Sequence, residues 1–147
     1  MVDRAQRDLG VRLLRELLEG RITNDEFHSQ FPRSGSDRAL DAIFVFAWGL
    51  YSDLHAHKLT GKHEPDADAR AIATRCVLFL EGNLEFEWPA PSIGLLNVPR
   101  NAWGAIKRLL HAGRENCAGS AESGDEDVWP FFRRGEYEAN LAAGPRL

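Results

Sequence analysis

Residues 17–27 read LLEGRITNDEF, and within this stretch one helix ends and another begins. Upstream, Leu9, Leu13, Leu14, Leu17 and Leu18 recur at three- and four-residue spacing, with Arg12, Arg15, Glu16 and Glu19 between them. That period predicts an amphipathic helix. Gly20 falls where such a helix stops, because glycine enters the left-handed conformation without a Cβ penalty. Three residues on, Thr23 is placed as an N-cap with Glu26 at the third helical position, the spacing of a capping box. Ile22 before the cap and Phe27 after it are spaced as a hydrophobic staple. Stop, staple and start together predict a tight helical hairpin.

The same residues, Leu17, Leu18, Gly20, Ile22, Thr23, Glu26 and Phe27, resemble the signature of a short bacterial helical-hairpin domain that mediates oligomerisation. The likeness covers residues 9–31. It departs from that domain in lying near the N-terminus and in breaking at Phe31-Pro32 instead of continuing as a second long helix. It implies a possible homo-oligomer; capping chemistry alone accounts for much of the same pattern.

Composition bounds the remaining choices. A chain of 147 residues with 44% hydrophobic and 27% charged residues is expected to form one helical domain over 1–147 with its own core. A net charge of −4 argues against nucleic acid, which selects a basic face. Cys76 and Cys117 form no CxxC motif, a pattern of reduced thiols and a cytoplasmic setting. The opening MVDRAQRDLG has no apolar h-region, so no signal peptide is expected. The longest apolar run, 42–51, falls short of the roughly 20 residues that span a bilayer, so no membrane association is expected.

Beyond the hairpin, the pattern predicts an all-α fold of five or six helices around a central hydrophobic helix over about 37–59. That helix opens at Ser36 or Asp37, carries Leu40, Ile43, Phe44, Ala47, Leu50, Tyr51 and Leu54, and has Val45, Phe46 and Trp48 on its other faces. His57 and Lys58 suit its C-terminal dipole and Gly61 closes it. A fourth helix begins at Pro65, Asp66 and Asp68, buries Ala69, Ile72, Cys76, Phe79 and Leu80, and stops at Gly82. At 84–88 the period drops to two: Leu84, Phe86 and Trp88 alternate with Glu85 and Glu87, an extended strap lying over the helices. A fifth helix is expected from Pro99 to a stop at Gly113, a mobile acidic loop over 114–127, and a short last helix over 136–143.

For chemistry, His55, His57, His63, Glu64, Asp66 and Asp68 form the one candidate metal set. On a continuous helix His55 and His57 point roughly 200° apart, whereas a helical metal pair takes i,i+3 or i,i+4 spacing. A His-x-His chelate needs the helix to end before them. No metal and no cofactor is therefore expected. Cys76 on an apolar face reads as an inert thiol, and Cys117 has no partner histidine for nucleophilic work. No phosphate loop, GxSxG or HExxH is present, and no catalytic residue is assigned. Two features suit a binding surface. Glu81, Glu85, Glu87, Glu122, Asp125, Glu126 and Asp127 offer negative charge to a basic partner. Trp129, Phe131 and Phe132 are typical interface anchors, or else a segment docked on its own core.

The segment over 37–89 and the run Asp127-Val128-Trp129-Pro130-Phe131 also resemble uncharacterised small bacterial proteins, a likeness that carries no mechanism. A small, acidic, motif-free chain of this kind looks like an immunity or antitoxin-type inhibitor, which implies a non-enzymatic protein that presents a complementary surface to a protein partner. The alternatives are an oligomeric scaffold built on the hairpin, or an enzyme whose histidines and carboxylates converge only in the fold.

Overall fold

The computed structural model describes residues 1–33, 35–88 and 124–144. Five α-helices and no strand occur among them, so the fold is all-α. Helix α1 spans Arg4–Leu18, α2 Asn24–Gln30, α3 Arg38–Trp48, α4 Ala67–Glu81 and α5 Arg134–Ala143. Short 3-10 turns occupy Gly61–His63 and Glu126–Val128. The fifth helix expected near 99–110, Cys117, Glu122 and most of the loop over 114–127 lie outside the described residues.

The hairpin forms as its chemistry dictates. Gly20 adopts φ +67°, and a Cβ there would stand 2.5 Å from Thr60 Cγ2, so both backbone and space require glycine. Thr23 caps α2: its N–H donates to Glu26 Oε2 at 2.7 Å and its hydroxyl accepts from the Glu26 N–H at 3.2 Å. Phe27 is fully buried and Ile22 partly so against the same core.

Helices α1 and α4 share the centre: α1 packs on α2, α3 and α4, and α4 on α1, α3 and α5. The core joins Leu13, Leu14 and Leu17 of α1 with Phe27, Leu40, Ile43, Cys76, Phe79 and Leu80. Inside it lies Arg7, fully buried, whose guanidinium donates to both Asp37 oxygens at 2.7 and 3.0 Å and lies over the Phe79 ring. Asp37 is also the N-cap of α3, accepting from the Ala39 N–H. Arg7 belongs to the same helical stripe as Val11, Leu14 and Leu18, so its position in the period marks it as inward-facing.

Two boundaries differ from expectation. Helix α3 ends at Trp48 instead of near residue 59, so His57, Lys58 and Gly61 belong to an irregular connection and a 3-10 turn. The cause is tertiary. Asn24, buried at the start of α2, donates from Nδ2 to the Ser52 and His55 carbonyls at 3.1 and 3.3 Å, and its Oδ1 accepts from the His57 N–H at 2.8 Å. Backbone groups that a longer helix would pair internally are thus taken by one amide side chain. At the end of α4, Gly82 is extended, not left-handed. Arg4 and Arg7 supply the stop instead: Arg4 donates to the carbonyls of Leu80, Glu81 and Gly82 at 2.5, 3.2 and 2.8 Å, and Arg7 to that of Gly82 at 3.2 Å.

The strap at 84–88 is extended as its alternation predicts. Leu84 and Phe86 pack partly buried on the core, Trp88 is buried, and Glu85 and Glu87 face outward. Trp88 Nε1 donates to the carbonyls of Pro130 and Phe131, each at 3.1 Å, tying the strap to the C-terminal segment. Residues 124–127, the end of the expected mobile loop, are ordered: the Asp125 N–H donates to the Phe132 carbonyl, and the Asp125 side chain accepts from the Asp127 N–H.

Candidate interaction surface

The acidic residues singled out from sequence are mostly spent within the molecule. Glu81, on the last turn of α4, lies 2.5 Å from Arg15. Glu85 meets the Met1 ammonium at 3.3 Å, and Glu87 meets Arg133 at 2.9 Å. Asp125 and Asp127 share Arg134 at 3.0 and 3.6 Å, while Glu126 opens the 3-10 turn beside them. Glu85, Glu87 and Asp127 remain solvent-facing, but each has a cation beside it.

Trp129 and Phe131 are core residues, which is the second of their two readings, a C-terminal segment docked on its own core. Trp129 is 7% exposed, packs on Phe46 at 5.6 Å between ring centroids, and its carbonyl accepts from Arg75 Nε at 3.0 Å. Phe131 is fully buried between Phe79 and Tyr137. Trp129 packs against α3 and Phe131 fills the space between α4 and α5, so truncating either would open a cavity.

A different surface comes forward. On α3 the exposed residues, Arg38, Asp41, Val45 and Trp48, follow an i, i+3, i+7, i+10 spacing and form one stripe. Val45 is 43% and Trp48 44% exposed; Leu54, just beyond in the irregular connection, is 72% exposed. Trp48 is held from behind. Its ring meets His28 edge-on at 5.7 Å and lies 6.4 Å from Phe44, and its Nε1 donates to Asp53. His28 in turn meets Phe44 edge-on, and Arg33 covers the Phe44 ring at 4.0 Å. Burial pushes the Tyr51 hydroxyl above its ordinary value, with Asp53 and Asp25 adding to the effect against Arg33. Burial likewise raises the Asp41 carboxyl, offset in part by Arg33.

The stripe is thus an aromatic and aliphatic centre with carboxylates at Asp25, Asp41 and Asp53 and the Arg33 and Arg38 guanidiniums around it. The sequence signal for it was present in the excess: a helix apolar nearly all round, lying at the periphery of a fold, leaves some of its apolar residues in water. The hairpin, by contrast, turns its apolar residues into the core of its own chain.

Among the described residues, one buried cysteine and three clustered histidines remain to be placed. The Cys76 thiol is fully buried and pushed well up by desolvation, with Arg75 lowering it only slightly, so it stays protonated. His55, His57 and His63, separated on the expected helix, gather where α3 has already ended: their ring centroids lie 5.1, 5.8 and 4.2 Å apart. No described helix is long and apolar enough to cross a membrane. No family model, curated protein or solved structure matches the chain.

Proposed function

We propose that the chain works by protein–protein contact, as a non-enzymatic inhibitor of immunity or antitoxin type that seats its Trp48 face on a basic partner protein. The observation that carries this reading is the exposed Asp41–Val45–Trp48 stripe, extended by Leu54 and bordered by carboxylates. A tryptophan braced by neighbouring rings is a rigid anchor of the kind that dominates interface energetics, since it loses little freedom on binding. The carboxylates around it favour a partner with basic groups at the rim, and they set association rate more than final affinity.

The test is a pull-down with the whole chain as bait, followed by kinetics with any partner recovered. Trp48→Ala is expected to keep the melting temperature, because the side chain is 44% exposed, and to weaken binding by about 2 kcal/mol or more, chiefly through faster dissociation. Asp41→Asn/Asp53→Asn should slow association at low salt and lose that effect as the Debye length falls from ~10 Å at 0.1 M to ~3 Å at 1 M. A partner bound equally well by the wild type and by Trp48→Ala would remove this face from the function.

A further inference from the structure

The exposed stripe of α3 has two unlike ends. Arg38 opens it at the first position of the helix, and Asp53 stands at the far end, where its carboxylate accepts from Trp48 Nε1. Arg38 Nη2 donates to the Trp88 carbonyl at 2.8 Å, which holds the guanidinium at its end of the stripe. A guanidinium carries five N–H groups, so that bond leaves donors for a carboxylate. Ten residues separate Arg38 from Trp48, roughly 15 Å along the axis. Between them lie Val45 and the half-buried Ala42, and the one charge there is Asp41, which the Arg33 guanidinium offsets. A face positive at one end, negative at the other and apolar between them is complementary to itself turned end for end.

We propose that this face docks on a second copy of the chain, the two α3 helices lying antiparallel about a two-fold axis at Val45. In that register Val45 meets its own copy. Trp48 falls over Ala42 of the second copy, a side chain small enough to admit an indole, and Asp41 falls opposite Gly49, which presents no side chain. Arg38 falls about one turn beyond the other Trp48, where Asp53 stands, and the symmetry makes that pair twice. A parallel arrangement sets Arg38 against Arg38 and Asp53 against Asp53, so charge selects the antiparallel one. The contact uses none of the apolar residues of the N-terminal hairpin, which lie in the core. The proposal rests on the reading above only in taking the Trp48 face as an interface; a basic partner and a second copy then compete for it. One helix wide, the contact belongs to the small, transient class, and dimers are expected over roughly 10 μM to 1 mM.

The experiment is sedimentation velocity on the full chain over that concentration range. A monomer–dimer equilibrium is expected. Arg38→Asp and Asp53→Arg should each raise its dissociation constant more than about tenfold, because each sets like charges together twice. Mixed one to one, the two variants should dimerise again, since both pairs are then of opposite sign. The Arg38→Asp/Asp53→Arg double variant should self-associate as the wild type does. Aspartate suits the first turn of a helix, so Arg38→Asp is expected to keep the fold, and its melting temperature checks that. In the wild type, dilution should shift the NMR resonances of α3 and leave those of α1 and α5 in place, an observation that needs no variant. A chain that stays monomeric throughout overturns the proposal. So does a one-to-one mixture that fails to dimerise, or a set of shifts centred on α1 or the hairpin. Arg38→Asp also separates the two uses of the face: it removes the dimer but keeps Trp48 and the carboxylates, so binding to a basic partner should not weaken, whereas Trp48→Ala weakens both.

Discussion

Gly20 and Thr23 separate two kinds of local control three residues apart. The Thr23 hydroxyl accepts from the Glu26 N–H at a helix start while Glu26 accepts from the Thr23 N–H, and Thr23→Ala is expected to cost about 1 kcal/mol. Gly20→Ala meets two obstacles at once: a left-handed backbone, about 1–2 kcal/mol for an L-residue, and a Cβ 2.5 Å from the Thr60 methyl. Urea midpoints should therefore fall further for Gly20→Ala than for Thr23→Ala, and Thr60→Ser should return part of the loss in the Gly20→Ala background. Equal midpoints for the two single variants would contradict this account. Both residues were legible from the sequence, because the chemistry of a cap or a left-handed stop is written within a few positions. The Arg7–Asp37 pair was not read, although Arg7 sits on the buried stripe. A charge on an apolar face can turn out to solvent or pair inside, and the partner that decides between them lies thirty positions away.

At the scale of elements, boundaries were legible where local signals set them and lost where a distant side chain overrode them. α1, α2, the start of α4 and the period-2 strap all follow from spacing and caps. α3 was read too long because Leu50, Tyr51 and Leu54 continue its period, while nothing nearby announces that Asn24 will capture the backbone at residues 52–57. That error also hid the histidine cluster, since an unbroken helix holds His55 and His57 apart. The Trp48 surface was hidden the same way, because a helix assigned to the centre of the fold has no exposed face. Asn24→Ala is expected to leave three backbone groups without their partner and to cost about 1–3 kcal/mol. Native-state hydrogen exchange should then show the His57 amide opening far faster while amides within α1 and α4 change little. If the His57 amide exchanges as before, Asn24 is not what holds the connection.

For the molecule as a whole, Arg7 is the joint between α1, the start of α3 and the end of α4, through Asp37 and the Gly82 carbonyl. Burial pushes the Asp37 carboxyl up, but the Arg7 hydrogen bond, the N–H groups of Asp3 and Ala39 and the Arg7 charge together hold it below its ordinary value. A depressed carboxyl contributes stability that is present above its unfolded pKa, about 3.9, and is lost as pH falls through the folded value. Asp37→Asn strands a buried guanidinium and should cost about 3–5 kcal/mol near neutrality, whereas Arg7→Met/Asp37→Leu should cost much less. Melting temperatures across pH 2–7 should show the wild type losing stability in acid and Asp37→Asn responding less. A double variant as damaged as Asp37→Asn would show that Arg7 matters for its shape and stem and not for its charge.

The tie between Trp88 and the 130–131 carbonyls has a consequence for what position 124 tolerates. A Cβ on Gly124 would lie 2.7 Å from the Trp88 ring and 2.9 Å from that of Phe132. The indole cannot retreat without giving up its bonds to both carbonyls. Bulk at 124 therefore loosens the join between the strap and the C-terminal segment, and the absence of a side chain there is what lets the two meet.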